Sequence, residues 1–156
     1  SGIIAMEITS EMVKDLREKT GVSITECKKA LTEAQGDVTR ALEVLGARAA
    51  AAISKKAGRT LGAGTAASYT HNTGQVGSLI LLASETDFVS KNKEFVALAR
   101  DIAMHAAAMR PASVEELLGQ PFIKNQSKTI ADLISAATQK FGERIEISNL
   151  AVFSVK

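Results

Sequence analysis

The sequence predicts an α+β protein: a small three-helix bundle, a linker, and a core in which helices pack on an antiparallel sheet. Three observations carry this reading. Apolar residues across 8–45 recur at helical spacing, broken twice at glycine. The stretch "GARAAAAISKKAGRTLGAGTAAS" then shifts composition from Ala-rich to Gly-rich. From Ala66 onward, strand-like runs alternate with helical stripes. The boundaries drawn are 6–46 for the bundle, 47–64 for a helix end and linker, and 65–156 for the core.

Within the bundle, Ile8, Met12, Val13 and Leu16 share one face, and Gly21 stops that helix in a left-handed cap. "SITE", Ser23 to Glu26, is a capping box in which each side chain satisfies an orphan amide. Ile24, Cys27, Ala30 and Leu31 give a second stripe, ended by Gly36. Asp37 caps a third helix with Val38, Ala41, Leu42 and Leu45 facing in. A flexible linker is expected around residues 56–64.

In the core, "AASYTH" and "QVGSLILLA" flank "NTG" as a hairpin. Ser90 caps a helix with Phe95, Leu98, Ala99, Ile102, Ala106 and Met109 on one stripe, ended by Pro111. "SVEELL" is a short helical turn and "GQPF" is irregular. "KTIADLISAATQKFG" is helical and closes at Gly142. "RIEISNLAVFSVK" is a strand whose alternation slips at Ser148-Asn149, the mark of a bulge.

Composition excludes several classes. The 156 residues are 46% hydrophobic and 23% charged, as in soluble globular proteins, and the net charge of +2 is too weak to argue for nucleic acid or an anionic membrane. With no Trp and one Tyr, a base-stacking platform is not expected. One cysteine excludes an internal disulfide and suits a reducing compartment. No apolar run approaches the ~20 residues that a membrane helix needs. "SGIIA" before Met6 reads as an expression remnant rather than a signal peptide.

Chemistry is sparse. His71 and His105 lie far apart with no Cys, Asp or Glu at ligand spacing, so no metal site is expected. Cys27 reads as a packed thiol. Gly62-x-Gly64-x-x-Ala67 follows a helix end and leads into a strand, the wrong context for a dinucleotide fingerprint. "SKT" at Ser127 lacks the glycine of a P-loop, and "KKAGR" reads as solvated linker. Nothing here makes an enzyme, and no cofactor is expected. The anomaly is Asp87-Phe88, an acid and a large aromatic at a strand-to-helix corner. Either Asp87 caps the helix while Phe88 tucks under the sheet, or Phe88 points outward as an anchor with Asp87 as a charge beside it.

"TDFV" followed by Lys91-Asn92 resembles the signature of the elongation factor Ts family. "VKDLREKTGVSITECKKALTEAQGDVTRALEVL" is similar to that family's ubiquitin-associated-like module, and "KKAGR" to its linker. "DIAMHAAAMRP" and "GQPFIKNQSKTIADLI" resemble its later motifs, so the resemblance covers nearly all of 6–156 in family order. It implies a guanine nucleotide exchange factor for GDP-bound elongation factor Tu. Thr86, Asp87, Phe88, Val89 and His105 would then meet the GTPase near its magnesium and phosphate site. Phe88 would wedge between partner side chains while Asp87 stabilises the rearranged loop. A helical wheel sets His105 on the shoulder of its stripe, either reaching a partner or half-buried in the core. The family's N-terminal docking role falls on Arg17, Ile24 and Lys28. The chain departs from the family pattern at Thr25, where a second apolar residue is common, and at Ser84, where many carry Cys. It carries one "TDFV" core, as do shorter members that form symmetric dimers. A homodimer in a 2:2 complex is therefore implied, with "NLAVFSVK" as its self-complementary edge. Neither direct nucleic-acid binding nor a membrane is implied. The compartment expected is the bacterial cytoplasm, or an organelle stroma or matrix after presequence removal.

Overall fold

The computed structural model describes residues 7–156, so the reading of Ser1–Ala5 and the boundary at Met6 lie outside the described residues. The chain divides into two compact units between Lys55 and Lys56.

The first unit holds α1 (Ser10–Thr20), α2 (Ile24–Glu33) and α3, which runs Val38–Lys56. Gly21 takes the left-handed conformation that ends α1, at φ 70°. Ser23 caps α2 by accepting the Glu26 amide, whereas the Glu26 carboxylate pairs with Lys29 and Arg48 rather than closing the predicted box. Asp37 caps α3 through the Arg40 amide. Val13, Leu16, Cys27, Ala30, Leu31, Ala41 and Leu45 form the core. The Cys27 thiol is fully buried and donates to the Val22 carbonyl at 3.5 Å. Ile24 and Leu42, predicted to face in, are exposed instead. Ile24 stands at the first position of α2, and Leu42 follows the fully buried Ala41 on α3, which turns it about 100° away from the core. The alanine run extends α3 to Lys56, because alanine is the strongest helix former.

The second unit is built on a three-stranded antiparallel sheet in the order β1 (Ala63–Thr70), β2 (Val76–Ser84), β5 (Glu146–Ser154). Gly74, at φ 71°, closes the β1–β2 hairpin. Leu81 faces Asn149 while Leu82 faces Ile147, so Ser148 is the extra residue of the predicted bulge. One sheet face, with Ala67, Ile80, Leu82 and Ile147, joins the core. On the other face Leu79, Leu81 and Phe153 are exposed.

After β2 come α4 (Asp87–Ser90) and α5 (Lys93–Met109). Asn92, not Ser90, caps α5, its Oδ1 accepting the amides of Glu94 at 2.8 Å and Phe95 at 3.3 Å. Ser90 ends the preceding turn instead, donating to the Asp87 carbonyl. α6 (Val114–Gly119) follows the left-handed Arg110. "GQPF" is not irregular: β3 (Pro121–Phe122) pairs with β4 (Asn125–Thr129). Thr129 and Asp132 form a full capping box at the start of α7 (Ile130–Phe141). Phe95 and Phe141 meet edge to face, centroids 6.0 Å apart, inside this unit.

Candidate functional site

β2 leaves the sheet at Ser84, which is buried and donates to the Thr86 carbonyl at 3.0 Å. Thr86 has extended backbone and caps the four-residue α4, its Oγ1 accepting the Val89 amide. Consecutive helical residues point about 100° apart. Burying Val89, 5% exposed, therefore turns Phe88 out, at 88% exposed, with Asp87 exposed beside it. Phe88 does not tuck under the sheet, and Thr86 takes the capping role that the alternative gave to Asp87.

Four residues are too few to hold a helix by themselves. The turn is tied from outside, because Thr65 on β1 donates its hydroxyl to the Ser90 carbonyl at 2.6 Å. Glu143, in the turn after α7, accepts bonds from Glu85 and Thr86. Arg59, expected in solvated linker, is engaged here too, reaching Glu85 and the Gly142 carbonyl.

His105 is fully buried on α5, not on a shoulder. Its Nδ1 accepts the Ile123 amide at 3.3 Å, which leaves the proton on Nε2 to donate to Gln120 Oε1 at 2.9 Å. The physical reason is the β3–β4 hairpin: Phe122 lies against the imidazole in a tilted arrangement, ring centroids 6.0 Å apart, a cover that no sequence pattern announces. Of the five residues expected at the contact, Thr86, Asp87 and Phe88 are exposed, while Val89 and His105 belong to the core.

In the first unit, Arg17, Ile24 and Lys28 line one groove with Val13 and Lys14. Ile24 and Lys28 are four apart on α2 and so share a face. Ile24 is 54% exposed, and Thr25 beside it is exposed as well. Among the described residues, no group of three His, Cys, Asp or Glu side chains is placed to hold a metal. No helix among them is long and apolar enough to cross a membrane.

The family model described as Elongation factor TS matches residues 85–156. Elongation factor Ts of Alkaliphilus metalliredigens (strain QYMF) is 37% identical over 195 residues, covering 96% of this chain and 90% of that protein. The chain belongs to the elongation factor Ts family. Elongation factor Ts of Clostridium botulinum (strain 657 / Type Ba4) is 43% identical over 148 residues, 95% of this chain but 48% of that protein. The family match begins at Glu85, so the elongation factor Ts region contains the Phe88 turn, the buried His105 and Glu143.

Proposed function

We propose that this protein is a guanine nucleotide exchange factor that promotes GDP release from elongation factor Tu, acting by binding rather than by bond chemistry. The observation that carries the reading is Phe88, an aromatic ring 88% exposed on a turn tied into a rigid sheet. Such a ring loses little entropy on entering a pocket, and a well-seated aromatic anchor contributes about 2 kcal/mol or more. Asp87 adds a charge where the partner's magnesium and phosphate contacts are being broken. A factor that prefers the nucleotide-free partner weakens nucleotide binding by the same coupling factor. Each ~1.4 kcal/mol removed from the barrier speeds release about tenfold.

Two further contacts complete the proposal. The groove of Arg17, Ile24 and Lys28 docks the GTPase and lengthens the life of the complex. A second copy of the chain covers the apolar outer face of the sheet, Leu79, Leu81 and Phe153, giving a homodimer and a 2:2 complex. The β5 edge named from sequence borders that face, since Phe153 stands on β5. The compartment proposed is the bacterial cytoplasm. Stopped-flow release of labelled GDP from elongation factor Tu tests the function. Release should accelerate with factor concentration and reach a plateau, and an unchanged rate at micromolar factor refutes it.

A further inference from the structure

Phe88 serves a partner only if its turn holds one conformation before contact. Glu143 lies 57 residues beyond Thr86 in sequence, next to Gly142, the left-handed cap of α7. Its Oε1 accepts the backbone amides of Glu85 and Thr86, both at 3.0 Å, and its Oε2 accepts the Thr86 hydroxyl at 2.7 Å. The two amides follow the last paired residue of β2 and lie beyond its ladder. The third bond has a directional consequence. A hydroxyl has one proton, and giving it to Glu143 turns the oxygen lone pairs toward the Val89 amide. The cap on α4 is thus oriented by a carboxylate outside it.

The contact is reciprocal. The Glu85 carboxylate accepts the Arg144 amide at 2.8 Å and faces Arg59 at 3.4 Å. Arg144 in turn donates to the Arg59 carbonyl and to Glu146. Each chain segment offers a carboxylate to the other's backbone, and bonds to ionised groups are the stronger kind.

We infer that Glu143 is a positioning residue for nucleotide exchange: it presets the Asp87–Ser90 turn so that Phe88 enters its pocket without an ordering cost. This rests on the exchange role of Phe88 proposed above. The test compares Glu143→Ala, Glu143→Gln, Phe88→Ala and the double variant Glu143→Ala/Phe88→Ala in the full chain. Saturating GDP-release rate, half-saturating concentration and melting temperature are measured for each. Glu143→Ala should lower the saturating rate about tenfold and shift half-saturation less than about threefold. Glu143→Gln keeps an oxygen for the two amides and should recover about half the rate or more. Added to Phe88→Ala, Glu143→Ala should cost less than about twofold, because both act through one ring. Wild-type rate in Glu143→Ala, or a full multiplicative loss in the double variant, overturns the inference. Should Glu143→Ala fail to fold, Glu143→Asp keeps the charge but draws the carboxylate back from the two amides and the hydroxyl, and carries the same expectation. If Phe88→Ala itself exchanges normally, the Phe88 reading falls, and hydrogen exchange then judges Glu143. The Val89 and Ser90 amides must exchange at least about tenfold faster in Glu143→Ala and stay slow in Glu143→Gln, or the positioning role falls too.

Discussion

Phe88 and Val89 are neighbours with opposite surroundings, so truncating each asks a different question. Phe88→Ala should change stability by no more than about 0.5 kcal/mol, since the ring buries almost nothing in the free protein. It should slow stimulated GDP release substantially, with Asp87→Asn giving a milder loss. Val89→Ala should instead cost about 2 kcal/mol of stability through lost burial and a cavity. Thermal melts beside stopped-flow release on the same samples separate the two. His105→Ala removes a buried ring and strands the Ile123 amide and Gln120, so urea unfolding should show a loss of about 3 kcal/mol. Phe88 was legible from pattern only as an anomaly, a large aromatic at a polar corner; its outward direction came from the family resemblance. His105 was not, because its cover comes from Phe122 on a hairpin that leaves no alternation to read. Glu143 was invisible for a similar reason, since its partners stand far away in sequence.

At the level of elements, the start of α5 shows how one helix signal hides another. Ser90 and Asn92 both suit a cap, and the apolar stripe from Phe95 accepts either. The turn at Asp87–Ser90 uses Ser90 for its own carbonyl, so the next free side chain takes the amides. Asn92→Ala should therefore lower stability by about 1 kcal/mol in denaturant melts, and Ser90→Ala should leave the cap on α5 intact. The sheet was more legible than the helix boundaries. The hairpin around "NTG" and the slip at Ser148 both follow from period-two alternation, which one bulge interrupts at a single place. The alanine run after Gly46 reads as the end of a helix with a linker from about residue 56, and α3 does run to Lys56.

For the whole molecule, the two units predict separable effects. Each has its own buried cluster, so a chain beginning at Lys56 should keep the second core. Without the groove of Arg17, Ile24 and Lys28, it should bind elongation factor Tu with a shorter complex lifetime. The release rate at saturation should change less, as single-turnover kinetics will show. Sedimentation should report a dimer for the intact chain, and Leu81→Lys with Phe153→Ser should make it a monomer with a melting temperature within a few degrees. The proposed docking role of Arg17, Ile24 and Lys28 comes only from family resemblance; spacing alone places Ile24 on the core stripe, where the structure does not put it.

The clasp between Glu85 and the Glu143–Arg144 segment also closes late in synthesis. A chain made from its N-terminus contains Phe88 long before it contains Glu143, and β2 lacks its second neighbour until β5 has emerged. Domains finish folding only when their last long-range partner arrives. A nascent or prematurely ended chain thus carries the aromatic ring but not the carboxylate that ties its turn. On the roles proposed above, an incomplete product that keeps the groove of Arg17, Ile24 and Lys28 should still dock on the GTPase but should not speed release.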